Sequence, residues 1–161
     1  MPVELTIIGD REFFASFGKG RRHPMLLLAD ALDDIRGQME HGMRVTAPKG
    51  KTGSLALEGI GSERVVPISS NVVRGVVGLR KSPEHGIWVH EGTGIFGQYR
   101  RPIFSPRGNI MKFKTDDGRW ISKRLIRGQT PQPFVRDVYL ALSRTYVPLR
   151  IRKLAVDLSR R

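Results

Sequence analysis

Between residues 25 and 43 the apolar side chains Leu28, Leu32, Ile35 and Met39 recur with a 4-3-4 spacing, which lays them on one helical face. Pro24 suits the first helical position, and Asp30, Asp33 and Asp34 lie off the stripe. The spacing predicts a long amphipathic helix that stops before Pro48. Upstream, VELTII (3–8) reads as a short strand, and GDREFFASFGKGRRHP is broken by glycines. Downstream, TAPKGKTGSL is a connection, and SLALEGI, ERVVPIS and NVVRGVVGLR read as β-rich stretches. Val72, Val73, Val76 and Val77 favour strand because β-branching stiffens them. SPEHGIWVHEGTG is a short piece, helical or extended, that ends in glycines.

The clearest hairpin is IMKFKTDDGRWISKRLI (110–126). Ile110, Phe113, Trp120 and Ile121 supply its apolar strand residues, and Asp116-Asp117-Gly118 supplies the turn. GQTPQPF then punctuates the chain. Phe134, Val138, Leu142 and Tyr146 follow at spacings of four, a second helix that Pro133 can open and Pro148 should kink or end. RIRKLAVDLSRR, within the basic tail 148–161, can resume as a short amphipathic helix. The expected fold is α+β over one domain, residues 1–161. A long N-terminal helix and a C-terminal helix pack on a small antiparallel β-sheet, with an extended loop inserted at 94–109.

A length of 161 residues and a hydrophobic fraction of 39% suit a single core. No run of eighteen apolar residues predicts a membrane-spanning helix, and MPVELTIIGDREFF has no basic-then-apolar signal pattern. Cysteine is absent, which excludes disulfides, thiolate metal sites and cysteine nucleophiles and fits assembly in a reducing cytoplasm. The net charge of +13 is unevenly spread. Residues 1–46 balance at −1, whereas 97–127 carry nine basic and two acidic side chains, and 148–161 five and one. So local an excess points to a polyanion or an acidic protein surface.

Gly92, Gly94 and Gly97 spell G-x-G-x-x-G. A phosphate site needs a strand before such glycines and a helix after them, but QYRRPIFSPRG follows, with Pro102 and Pro106 where the helix would run. His90-Glu91 would need a histidine at position 94 for the zinc-protease motif, and Gly94 stands there. No G-x-S-x-G nucleophile motif occurs, and no constellation meets the geometric demands of catalysis. The expectation is a non-enzymatic protein without cofactor or metal.

Several pieces in this order resemble a known pattern. They are Thr52-Gly53-Ser54-Leu55, Val89-His90-Glu91-Gly92-Thr93 and Gln132-Pro133-Phe134, within residues 25–145. This resembles the neck or tail-completion proteins of long-tailed bacteriophages, the family named for gene product ten of a lambdoid phage. The aromatic residue that family places between Glu and Gly is missing between Glu91 and Gly92. The resemblance implies a structural virion protein, made in the host cytoplasm. It would form a homo-oligomeric ring, most often of six copies, at the head–tail junction or tail end, joining head to tail around the DNA path. It also implies neighbouring neck, tail-terminator or tail-tube proteins as partners, and no membrane. A stand-alone, sequence-independent nucleic-acid-binding protein is the alternative reading of the same basic segment.

Residue roles follow as expectations. Thr52, Gly53, Glu91, Gly92 and Thr93 form structural turns. Ile95, Phe96, Tyr99, Ile103 and Phe104 form a subunit or partner interface, or fold back on their own domain. Arg100, Arg101, Arg107, Lys112, Lys114, Lys123 and Arg124 face DNA or an acidic partner surface. Lys112 and Lys114 share a strand face, which some of Arg119, Lys123 and Arg124 can join across the turn. In a head-to-tail ring the acidic N-terminal helix of one subunit could meet the basic segment of the next.

Overall fold

A computed structural model of the protein describes residues 2–9, 24–49, 53–80, 85–105, 108–115 and 117–159. In chain order the elements are β1 (Pro2–Ile8), α1 (Pro24–Thr46), α2 (Ser54–Leu57), β2 (Ile60–Ser69), β3 (Val72–Leu79) and α3 (His85–Glu91). A 3-10 turn (Gly94–Phe96) precedes β4 (Ile103–Phe104), β5 (Met111–Lys114), β6 (Trp120–Lys123) and β7 (Leu125–Ile126). Two helices, α4 (Phe134–Arg144) and α5 (Tyr146–Ser159), close the chain. The fold is mixed α+β. The chain divides into two compact units, Met1–Glu84 with Phe134–Arg161, and His85–Pro133.

The first unit is a three-stranded antiparallel sheet, order β1-β3-β2, with helices packed on it. β1 alternates exposed and half-buried residues along its length. Its register, Ile7 opposite Val73 and Leu5 opposite Gly75, puts the half-buried set on the core side. Pro67 interrupts β2 at an irregularity of an edge strand, where a missing N–H is tolerated. The predicted stripe of α1 is buried, and Ala31 and Met43 extend it. Each buried Leu or Ile in it contributes roughly 1.5–3 kcal/mol. Leu28, Ala31, Leu32, Val73 and Leu154 form one buried cluster. At Gly42 the helix crosses α4 so closely that a Cβ would lie 2.8 Å from the Val138 side chain.

A polar network ties α1 to the chain that follows it. The Arg44 guanidinium donates to the carbonyls of Ala56, Leu57 and Ile60 at 2.8–2.9 Å and to Glu40 at 2.9 Å. Arg36 donates to the Ser62 hydroxyl, and Ser62 donates to Glu40. Burial pushes the Glu40 carboxyl up. The hydrogen bonds from Ser62 and Arg44, with the charges of Arg44 and Arg36, together outweigh it and hold the carboxyl below its ordinary value.

Two local expectations are corrected. SLALEGI does not begin as a strand: Ser54–Leu57 is a single helical turn. Gly53, at φ 63°, accepts from the amides of Ala56 and Leu57, and Leu55 is buried while Leu57 is exposed, so the Leu-x-Leu alternation is not a strand face. Pro148 neither kinks nor ends a helix. The break comes earlier, at Thr145, and Pro148 lies in the first turn of α5, where its missing N–H has no intrahelical acceptor to lose. The segment expected as a basic tail is helical to Ser159; Leu154 packs into the core, and Arg150 pairs with Asp34 at 2.7 Å.

Candidate functional site

The second unit is held by a backbone clasp built on the Glu-Gly-Thr-Gly turn. Gly92 ends α3 at φ 79°, a left-handed conformation that a residue with a Cβ adopts at a cost. The chain then pairs with residues 127–132, far away in sequence. Thr93 N donates to Gln129 O at 2.9 Å, Ile95 N to Arg127 O at 2.8 Å, and Gln132 N to Val89 O at 2.9 Å. The Thr93 hydroxyl accepts from the Gln129 amide at 3.0 Å. Gly94 and Gly128, both at positive φ, sit so close across this pairing that a Cβ on Gly94 would collide with Arg127 O, and one on Gly128 with Thr93 O.

The G-x-G-x-x-G sequence is therefore architectural. A phosphate cradle needs free amides aimed into a concavity at a helix start. Here the amides of Ile95, Phe96 and Gly97 are spent on Arg127 O, Thr93 O and Gly94 O, and only a 3-10 turn follows. His90 is buried in α3 and Glu91 is exposed. Among the described residues, no group of three or more His, Asp or Glu side chains could hold a metal ion. The expected turn residues Gly53, Glu91, Gly92 and Thr93 all lie at turns or helix ends; Thr52 lies outside the described residues.

The expected interface set is divided by exposure. Ile95 is half-buried, Phe96 and Ile103 are just exposed, and Tyr99 and Phe104 stand out at 81% and 61%. The stretch 94–104 is pinned at both ends, by the clasp and by β4, which pairs with β7 through Ile103 opposite Ile126 and Phe104 opposite Leu125. Between these ties Arg100 is held at φ 48°, an uncommon conformation for a residue with a Cβ. Trp88, Tyr99, Arg101 and Ile103 line an open groove of about 440 Å³ over the glycine floor.

The hairpin fixes which basic residues meet. Met111 pairs with Lys123, Lys112 with Ser122, Phe113 with Ile121 and Lys114 with Trp120. One face thus carries Lys112, Lys114, Trp120 and Ser122, all exposed. The other carries the half-buried Met111, Phe113 and Ile121 together with Lys123. Lys123 therefore does not join Lys112 and Lys114, since its register partner Met111 belongs to the opposite face. Arg124 sits in the bend between β6 and β7, and Arg107 lies outside the described residues.

At the turn, Thr115 donates to Asp117, and Arg119 pairs with Asp117 at 2.8 Å. The Thr115 hydrogen bond is the main cause of the lowered Asp117 pKa. Among the described arginines and lysines of this unit, Arg119 is the one with a carboxylate in ion-pair range. Among the described residues, Arg100, Arg101, Lys112, Lys114, Lys123 and Arg124 thus have no carboxylate in ion-pair range.

Of the apolar strand residues expected in the hairpin, Phe113, Trp120 and Ile121 lie in β5 and β6, whereas Ile110 precedes β5 and is exposed; Trp120, though in its strand, is 71% exposed. The signal was present. Trp120 and Ile121 are adjacent and cannot share a strand face, and Ile121 is the one in register with Phe113.

No model of a known protein family, no curated protein and no solved structure matches this chain. Among the described residues no helix is long and apolar enough to cross a membrane.

Proposed function

We infer that this protein is a structural component of a phage neck or tail end, a homo-oligomeric ring subunit that helps join head to tail around the DNA path. The observation that carries this reading is the surface of the second unit. Exposed aromatic side chains, Tyr99 and Phe104, belong to the same unit as Arg100, Arg101, Lys112, Lys114 and Arg124, which have no carboxylate in ion-pair range among the described residues. Apolar groups of this kind suit contacts with another copy or a neighbouring virion protein, and the cations suit the phosphates of DNA. The resemblance in the three motif stretches supplies the virion setting and the ring of six.

The acidic side chains of α1 contribute less to subunit contact than their charge suggests. Asp33 is paired with Arg36 and Asp34 with Arg150, both inside the subunit. Contact between copies then rests on the apolar residues of the 95–104 segment. The alternative, a stand-alone sequence-independent nucleic-acid-binding protein, is favoured by the exposed Trp120 on the face that carries Lys112 and Lys114.

Replacing Lys112, Lys114, Lys123 and Arg124 together by Gln tests the polyanion side of the reading. The fold should persist, since exposed substitutions of this kind cost within about 0.5 kcal/mol each. DNA affinity should fall, and the slope of log affinity against log salt should become shallower. Unchanged affinity and an unchanged slope would show the basic residues to be only solvated surface.

A further inference from the structure

We propose that the Lys112–Lys114–Trp120 face of the hairpin binds unpaired nucleotides, stacking a base on the Trp120 indole while Lys112 and Lys114 hold adjacent phosphates. The inference rests on the reading that the basic hairpin meets a polyanion, and it names which polyanion fits. Lys114 lies directly across from Trp120 and Lys112 across from Ser122, so one face presents an indole with one lysine opposite it and a second diagonal to it on the neighbouring strand. Nothing in the packing requires the indole there. The hairpin's apolar contacts are made on the other face by Met111, Phe113 and Ile121, and Trp120 remains 71% exposed. Asp117, the described carboxylate of the hairpin turn, is occupied by Thr115 and Arg119. Lys112 and Lys114 are two residues apart on an extended strand, roughly 7 Å, and both are exposed. Successive phosphates of one nucleic-acid strand can bridge such a pair.

The composition of the face selects among partners. A membrane surface takes up a contiguous apolar patch, and here one aromatic stands among three polar residues. The core of a protein interface is depleted of lysine. Duplex DNA offers phosphates but hides the faces of its bases. A single strand offers both a base face and phosphates, and stacking on an aromatic side chain is how sequence-tolerant binders hold it.

The chain has two tryptophans, so Trp88→Phe leaves Trp120 as the only indole emitter. That variant is titrated at low salt with a short oligothymidylate, a duplex of the same length and inorganic polyphosphate. The proposal predicts quenching by the single strand and an affinity at least about tenfold above that of the duplex. In the otherwise native chain, Trp120→Ala should lose about tenfold or more of single-strand affinity. Its binding of duplex and polyphosphate should barely change, and Trp120→Phe should keep most of the single-strand affinity. Equal binding of all three polyanions without quenching would overturn the stacking inference and leave the polyanion reading standing. Binding of none of them would overturn both. Quenching by phosphatidylserine vesicles without oligonucleotide binding would overturn it in favour of a lipid surface. Should Trp120→Ala fail to fold, the quenching in Trp88→Phe and the affinity of Trp120→Phe decide the matter.

Discussion

Glu40 shows how a single side chain can carry pH dependence into this fold. Its carboxyl is held below its ordinary value by Ser62, Arg44 and Arg36 despite the opposing push of burial. A depressed carboxyl contributes stability above its unfolded pKa and loses it as pH falls through the folded value. Glu40→Gln should therefore destabilise the protein by about 1–2 kcal/mol at pH 7. The gap to wild type should persist to about pH 5 and close as pH falls below the ordinary carboxylate range near 4. Denaturant melts of both proteins across that range check this; a gap that widens in acid would reverse the sign. Gly94 and Gly128 make a second residue-scale case. Alanine at either adds a positive-φ penalty to a collision with an opposing carbonyl. Either substitution should raise hydrogen exchange at the Thr93 and Ile95 amides while the amides of α1 keep their protection.

Among the elements, the two interior glycines of α1 should answer alanine with opposite signs. A Cβ at Gly37 meets nothing within 4 Å, so Gly37→Ala should stabilise the protein by about 0.5–1 kcal/mol through helix propensity. At Gly42 the same gain is opposed by the Val138 methyl at 2.8 Å, and the melting temperature should fall. Equal shifts at the two sites would mean that α1 and α4 do not cross so closely. Phe134, 5% exposed at the start of α4, should cost about 3–5 kcal/mol on truncation to alanine. These helices were legible because a buried stripe writes its own period into the sequence, and β3 was legible through its valines. Three features were not. The α2 turn borrows its carbonyl partners from Arg44, a residue outside its own stretch. The break at Thr145 required knowing that α5 begins before Pro148. The clasp joins residues 89–95 to 127–132, and no local period records a pairing across that separation. The glycines of that clasp were legible as turn formers, but their tight fit came only with the opposing strand.

For the molecule as a whole, the proposed ring would use the exposed apolar residues of the 95–104 segment as the contact between copies. Tyr99→Ala with Phe104→Ala should weaken self-association and leave the melting temperature nearly unchanged, because both side chains are exposed. Loss of folding instead would place these residues in the core of their own unit. The assembly claim itself is tested most directly by the mass of the native protein in sedimentation, measured over a range of concentrations without DNA. A ring subunit should run as a single closed species at a whole multiple of the 18.1 kDa chain, six copies in the ring the resemblance implies. A monomer at every concentration, without DNA and with it, would contradict it.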